Sequence, residues 1–261
     1  MKVAVTGASG FIGRHVIAEL EKLGVEIIAP TRVEFDISQP PKNCFETLGK
    51  PDVLIHLAWQ GLPNYKSPHH FETQLPKQYN FLSRLIREGL PSLVVAGTCF
   101  EYGLQSGPLA ANIETYPITA YGLAKDTLRK QLQFLQQVQS FKFTWARLFY
   151  IFGEGQPETS LLPKLKKAVI SGQDKFQMSA GEQLRDYLPV SEVARQLVGL
   201  AVRDYDHGVV NICSGKPISV RRLVESWVRE QGCKIELDLG DLPYPDYEPM
   251  AFWGVVSSLK K

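Results

Sequence analysis

Tyr121 and Lys125 stand four residues apart in Tyr121-Gly122-Leu123-Ala124-Lys125, a spacing that puts both side chains on one face of a helix. An ammonium beside a phenol favours the phenolate, so the pair reads as a proton donor and acceptor whose tyrosine is tuned downward. Thr119, just ahead, is the expected N-cap of that helix. Thr98 follows the apolar run Leu93-Val94-Val95-Ala96 and Gly97, at the kind of strand end where open α/β sheets bind ligands, and its hydroxyl is placed to meet a reacting oxygen. Near the N-terminus, Thr6-Gly7-Ala8-Ser9-Gly10-Phe11-Ile12-Gly13 follows the strand-like Val3-Ala4-Val5. Glycines there let a pyrophosphate approach the free N–H groups at a helix N-terminus. A cradle for a dinucleotide with a phenol, an ammonium and a hydroxyl downstream is equipment for moving a hydride and a proton at a carbonyl group.

The elements that must position these groups alternate between short β-branched runs and amphipathic stretches: Lys2 to Val5, Phe11 to Leu23, Val25 to Ala29, Val53 to Leu57, Phe71 to Glu88, Leu93 to Ala96, Ala120 to Val138 and Phe143 to Leu148. That order predicts an α/β fold, a doubly wound parallel sheet of the Rossmann type, with a small C-terminal substrate lobe. The expected division is a dinucleotide-binding domain over 1–158 and a mostly substrate-binding lobe over 159–261, with segments near 187–212 returning to the main domain. Pro243, Pro245 and Pro249 mark an irregular tail.

With 261 residues, 44% of them hydrophobic, the chain can bury one sizeable core. A net charge of +2 from 29 basic and 27 acidic residues points to neither nucleic acid nor an anionic membrane surface, and leaves small molecules as the expected partners. Cys44, Cys99, Cys213 and Cys233 form no C-x-x-C pair, so a zinc knuckle or redox dithiol is not expected and all four read as reduced thiols of a cytoplasmic protein. No metal site is read. The chain opens directly on a strand rather than a signal peptide, and no apolar run reaches membrane-spanning length. His69-His70 in a loop and His207 in a polar turn read as surface residues.

The cofactor reading turns on the end of the second strand, where an acidic residue favours NAD and a basic one accommodates the phosphate of NADP. Here the residues are Pro30-Thr31-Arg32, so NADP is expected, with NAD as the alternative. Asp36 and Ile37 are placed to reach the adenine.

These motifs, together with His56-Leu57-Ala58, Gly97-Thr98-Cys99-Phe100-Glu101-Tyr102-Gly103, Arg147 to Gly155 and Arg185 to Ala194, resemble the extended short-chain dehydrogenases/reductases of the nucleotide-sugar epimerase/dehydratase branch, over nearly the whole chain. The resemblance implies that Thr98, Tyr121 and Lys125 are catalytic, Lys125 also holding the nicotinamide ribose. It implies a cofactor held by Gly7, Ser9, Gly10, Phe11, Ile12, Gly13, Arg32, Asp36, Ile37, Leu57 and Ala58 together with Tyr121 and Lys125. The substrate would be a nucleotide sugar contacted by Thr98, Cys99, Phe100, Tyr150 and Arg185, the arginine taking its diphosphate end unless it is committed to Asp186 or Glu182. A homodimer through two helices, one carrying Tyr121, is implied as well.

Cys99 and Phe100 stand where dehydratases of this branch carry two acidic residues, and Glu101 is shifted to another side of the strand end, so dehydration loses its acid and base. Cys99 is one position short of the cysteine used by the epimerase-reductases that make GDP-fucose, and no matching histidine follows the tyrosine helix. Tyr150 and Gln74 replace asparagines common in relatives. What remains is a 4-keto reductase acting on a nucleotide-linked 4-keto-6-deoxy sugar, a 4-epimerase holding NAD, or a non-catalytic NADP-binding regulator. Glu248 to Gly254 resembles the family's C-terminal stretch, and Val255-Val256-Ser257-Ser258 stands where relatives show an aspartate and a Ser-Lys, so a short substrate lobe is expected.

Overall fold

The computed structural model describes residues 1–203 and 205–257, and Ser258 of the tail motif lies outside the described residues. The first part of the chain forms β1 (Lys2–Thr6), α1 (Phe11–Glu21), β2 (Glu26–Ile28), α2 (Cys44–Thr47) and β3 (Val53–His56). A π-helical turn (His70–Gln74) then leads into α3 (Leu75–Arg87), β4 (Ser92–Thr98), a 3-10 turn (Cys99–Tyr102), β5 (Gly107–Leu109), α4 (Ala120–Gln136) and β6 (Lys142–Leu148). The remainder adds β7 (Tyr150–Phe152), α5 (Leu161–Ile170), β8 (Lys175–Met178), β9 (Leu184–Arg185), β10 (Tyr187–Pro189), α6 (Val190–Val202), β11 (Gly208–Ile212), β12 (Ile218–Ser219), α7 (Val220–Glu230), β13 (Glu236–Leu239) and β14 (Phe252–Gly254).

Six strands form one parallel sheet in the order β11-β6-β4-β3-β1-β2. The inner strands β1 and β3 are buried and largely apolar on both faces because helices cover both, whereas β2 at the edge begins with exposed Glu26. Alternate residues divide the core: Val3, Val5, Ile55 and Val94 pack with Val16, Leu20 and Leu197 from α1 and α6. Ala4, Leu54, Leu93 and Val95 pack with Phe81, Leu85, Leu128 and Leu132 from α3 and α4. The chain runs from β1 outward to β2 and then crosses to β3 on the other side of β1, so a crevice opens at the C-terminal ends of β1 and β3. The expected doubly wound parallel sheet is the observed one.

A separate apolar cluster, centred on Leu165, Phe176, Met178, Val224 and Trp227, joins α5, α7 and the parallel pair β8-β13. β11 returns to the main sheet beside β6. The proline-rich tail is less irregular than its composition predicts: beyond Pro249, β14 pairs in parallel with β5, a register set by residues more than a hundred positions apart and invisible to local pattern. No helix among the described residues is long and apolar enough to cross a membrane.

Behind the crevice, His56 is fully buried, its Nδ1 2.7 Å from Thr6 Oγ1 and its Nε2 2.7 Å from Gln78 Oε1. Burial, seconded by the Lys125 charge, pulls its pKa to about 3. The unfolded chain therefore binds a proton that the folded chain refuses between about pH 6.5 and the depressed native value. Stability present above that window is lost as the pH falls through it, by up to about 1.4 kcal/mol per pH unit. In unfolding titrations between neutral and moderately acid pH, His56→Asn should flatten the acid slope relative to the natural chain; equal slopes would assign the acid sensitivity elsewhere.

Candidate active site

Local chemistry builds the site at the crevice. Gly7 lies at φ 76°, and a Cβ there would fall 2.9 Å from the Ala58 nitrogen; at Gly13 it would fall 2.1 Å from the Gly7 carbonyl oxygen. Only glycines allow the turn to fold against β3 and α1 to start directly beneath it. No side chain caps α1 at Gly10, so its first N–H groups and positive dipole end are available to an anion. A cavity of about 270 Å³ begins there, lined by Gly7, Ser9 and Gly10, passes Leu57 and Ala58, and reaches Arg32, Asp36 and Ile37. Phe11, Ile12 and Gly13 form the first turn of α1 alongside it. The glycine cradle and the free helix end fit a dinucleotide pyrophosphate.

Thr98 ends β4 in an extended conformation, and its backbone and side chain are pinned by the turn that follows. Its N–H donates to Glu101 Oε1 (2.8 Å), and its Oγ accepts from the Phe100 N–H (3.3 Å). Thr119 caps α4 as expected, accepting from the Gly122 N–H at 3.1 Å, and α4 then presents Tyr121 and Lys125 to the end of β4. Lys125 Nζ donates to the Ala96 carbonyl (2.8 Å) and lies 4.1 Å from the centroid of Trp59 and 5.9 Å from that of Tyr121. The structure thus brings Thr98, Tyr121 and Lys125 together.

Their protonation differs from the sequence expectation. Burial pushes the Tyr121 phenol upward, helped by Tyr65, Glu101 and Cys99, while the Thr98 side chain pulls the other way as a hydrogen-bond partner. Burial brings Lys125 down to about 7. The expectation was a tyrosine lowered by its lysine; desolvation of the enclosed phenol outweighs that attraction. Tyr121 is held as a protonated acid, beside an amine that titrates near neutrality.

The enclosure comes from the irregular segment after β3, which sequence patterning left unassigned. The Tyr65 carbonyl accepts from the Tyr121 N–H at 3.0 Å. The Tyr65 ring packs 4.7 Å from Phe100, 5.7 Å from Tyr121 and 5.9 Å from Tyr247. His70, expected at the surface, is instead buried. Its ring packs at a tilt 5.3 Å from Tyr121, accepts at Nδ1 from the Trp59 indole N–H (3.0 Å) and donates from Nε2 to the Asn64 carbonyl (2.9 Å). An indole can only donate, so His70 is fixed as the neutral Nε2–H tautomer, and burial lowers its pKa. The π-helical turn that tucks it inward leaves no periodic trace in the sequence. Half-buried His207 immediately precedes β11, at the strand end opposite the crevice.

Glu101 points behind Thr98 rather than into the site. Fully buried, it pairs with Arg147 Nε (2.7 Å) and accepts from the Trp145 indole (2.8 Å); its carboxylate locks the strand end. Cys99 is buried, and its thiol is pushed up chiefly by burial. Cys44, Cys213 and Cys233 are also free thiols.

Arg185 is buried against Glu248, with Nη2 to Oε2 at 2.9 Å, and lies over the rings of Tyr150 and Phe252 at 5.7 and 4.8 Å. Its carboxylate partner is neither Asp186 nor Glu182. Asp186 accepts from the backbone of Ser214, Gly215 and Gly254, while Glu182 lies on the surface near Tyr244. Gln74 sits buried between His69 and Gln78. The cavity also has wall residues that sequence reasoning missed, Trp59, Gln60, Lys77 and Gln78. The sequence signal for Lys77 was its position three residues after Gln74 on the helix facing the crevice.

Residues 3–213 match the NAD dependent epimerase/dehydratase family. The chain is 31% identical to the dTDP-6-deoxy-L-talose 4-dehydrogenase (NAD(+)) of Aggregatibacter actinomycetemcomitans, over 97% of this chain and 99% of that one. It is 26% identical to the dTDP-6-deoxy-L-talose 4-dehydrogenase (NAD(P)(+)) of Kitasatospora kifunensis, over 94% and 83%. Among solved structures it resembles MoeE5 in complex with UDP-glucose and NAD, at 26% identity and a TM-score of 0.80, covering 98% of this chain and 90% of that one.

Proposed function

The chain belongs to the NAD dependent epimerase/dehydratase family, and from that premise we propose that it reduces a 4-keto-6-deoxy sugar carried on a nucleotide diphosphate, with NADPH as reductant. The observation that carries this reading is the commitment of the other acid-base groups around Tyr121. Glu101 is consumed by Arg147 and Trp145, the Cys99 thiol is held protonated by burial, and both His70 nitrogens are taken. Dehydration, and epimerisation by deprotonation of a carbon next to the ketone, each need a second acid or base beside the reacting carbon. One available proton donor suits reduction of one ketone.

The bound nicotinamide would supply a hydride to the carbonyl carbon. Tyr121 donates its proton to the carbonyl oxygen, and Thr98 donates a hydrogen bond to the same oxygen. Lys125, near its own titration point, stabilises the phenolate so formed and returns a proton to it; a positioned proton donor of this kind contributes about 10²- to 10⁴-fold in rate. Leu57, Ala58 and the glycine turn hold the cofactor. Phe100, Tyr65 and Tyr247 supply an apolar wall beside Tyr121 that suits a sugar bearing a methyl group at C6. Arg185, with Tyr150 beneath it and Cys99 nearby, takes the diphosphate end by exchanging Glu248 for phosphate oxygens.

Two observations support the reductase over an epimerase: the relatives named above are 4-dehydrogenases of 6-deoxytalose nucleotides, whose reverse reaction is this reduction, and Arg32 in the cavity suits NADPH. Leu123 and Phe134, exposed on α4, support a homodimer through that helix, and the free thiols suit the cytoplasm. Incubated with dTDP-, CDP- or GDP-linked 4-keto-6-deoxy sugars, the protein should consume NADPH in step with ketone lost. Appearance of a C4-epimerised sugar without consumption would replace the reading with a 4-epimerase, and NADPH binding without turnover on any of them would favour a regulator.

A further inference from the structure

We propose that Lys77 is the second cation of a phosphate seat at the adenosine end of the cavity, shared with Arg32 and made for the 2′-phosphate of NADP; this assignment rests on the NADPH reading above.

Arg32 comes from the segment after β2 and Lys77 from the first turn of α3, two elements on either side of the crevice, and both line the same cavity that begins at the glycine turn. Among the described residues neither forms an ion pair, whereas other lysines and arginines, exposed and buried alike, lie within 4.0 Å of a carboxylate, as Lys66 does with Asp246 and Arg221 with Glu225. The carboxylate at this end is Asp36, whose Oδ1 accepts from the Ser38 N–H at 2.9 Å. Hydrogen bonds from Ser38 hold the Asp36 carboxyl below the usual range, and the charges of Arg32 and Lys77 both add to that lowering.

The charge arithmetic shows why Arg32 alone is not sufficient. Arg32 against Asp36 leaves this end of the cavity neutral, and a dianionic phosphate would gain from the guanidinium roughly what it loses to the carboxylate. Lys77 makes the balance positive. The arginine offers a planar fork and the lysine a mobile point charge, a combination that can grip a phosphate from two sides without requiring one rigid geometry. A ribose with a free 2′-hydroxyl would leave both cations unsatisfied and has no use for the second.

The test is equilibrium binding by calorimetry to the full chain, with NADPH, NADH, 2′,5′-ADP and 5′-AMP as ligands and Lys77→Met and Lys77→Arg as variants. Lys77→Met should weaken NADPH and 2′,5′-ADP about tenfold, the scale of one charge-assisted phosphate contact, and leave NADH and 5′-AMP unchanged, which also shows that the variant is folded. Lys77→Arg should restore most of the loss. Equal weakening of NADPH and NADH would place Lys77 on a part common to both cofactors and overturn the assignment, as would no change for 2′,5′-ADP. A natural chain that binds NADH more tightly than NADPH would defeat the reductant reading while the 2′,5′-ADP arm still judges Lys77.

Discussion

Tyr121→Phe is expected to lower kcat by about 10²- to 10⁴-fold, the usual contribution of a positioned proton donor, while the dissociation constant for the cofactor stays near that of the natural chain. The phenyl ring keeps the packing against Tyr65, Trp59, His70 and Phe100, so the fold and the cavity survive and only the proton is lost. No neighbour is poised to replace it. Cys99 and Tyr65 are both pushed toward the protonated, poorly acidic side by burial, and His70 has no nitrogen to spare. The measurement is steady-state turnover of a nucleotide-linked ketosugar beside a cofactor-binding titration. A variant that retains more than a tenth of kcat would show that the proton comes from elsewhere, and the catalytic assignment would fall.

The second large effect is expected at Gly13→Ala. The added Cβ would fall 2.1 Å from the Gly7 oxygen and 2.7 Å from both Cα and O of Ala8, all backbone atoms that have no rotamer to yield. The turn must open, displacing the N–H groups at the start of α1. Cofactor affinity should drop about a hundredfold or more, with overpacking adding about 1–3 kcal/mol of lost stability. Gly199→Ala in α6 is the control, since a Cβ there meets nothing within 4 Å, and it should bind cofactor normally with stability unchanged or slightly raised. If both substitutions weaken binding alike, the effect is general destabilisation and the glycine turn loses its assigned role.

The parts of this site that could be read in the sequence are those written in local periods. The 3.6-residue spacing of Tyr121 and Lys125, the capping threonine, the glycine turn behind its strand and the apolar runs of the sheet each follow from chemistry within a few residues. The parts that escaped depend on distant partners. Trp59, Tyr65 and His70 reach the site from an aperiodic segment with a π-helical turn, Glu248 meets Arg185 across 63 residues, and β14 finds β5 only once the fold exists. The protonation of the Tyr121-Lys125 pair escaped for a related reason: spacing shows that two groups meet, whereas burial, which dominates both, is a property of everything packed around them. Lys77 was visible as a residue but not as a wall of the cavity, since its role depends on α3 facing Arg32 across the crevice.

The central claim, that one hydride and the Tyr121 proton are delivered to a sugar ketone at C4, is tested most directly by isotope transfer. NADPH carrying deuterium at the nicotinamide C4 would be incubated with a dTDP-linked 4-keto-6-deoxy sugar, and the product examined by mass spectrometry and proton NMR. The account requires one deuterium at sugar C4, one equivalent of NADP⁺, and neither with Tyr121→Phe. An unlabelled product epimerised at C4, formed while NADPH remains intact, would contradict it.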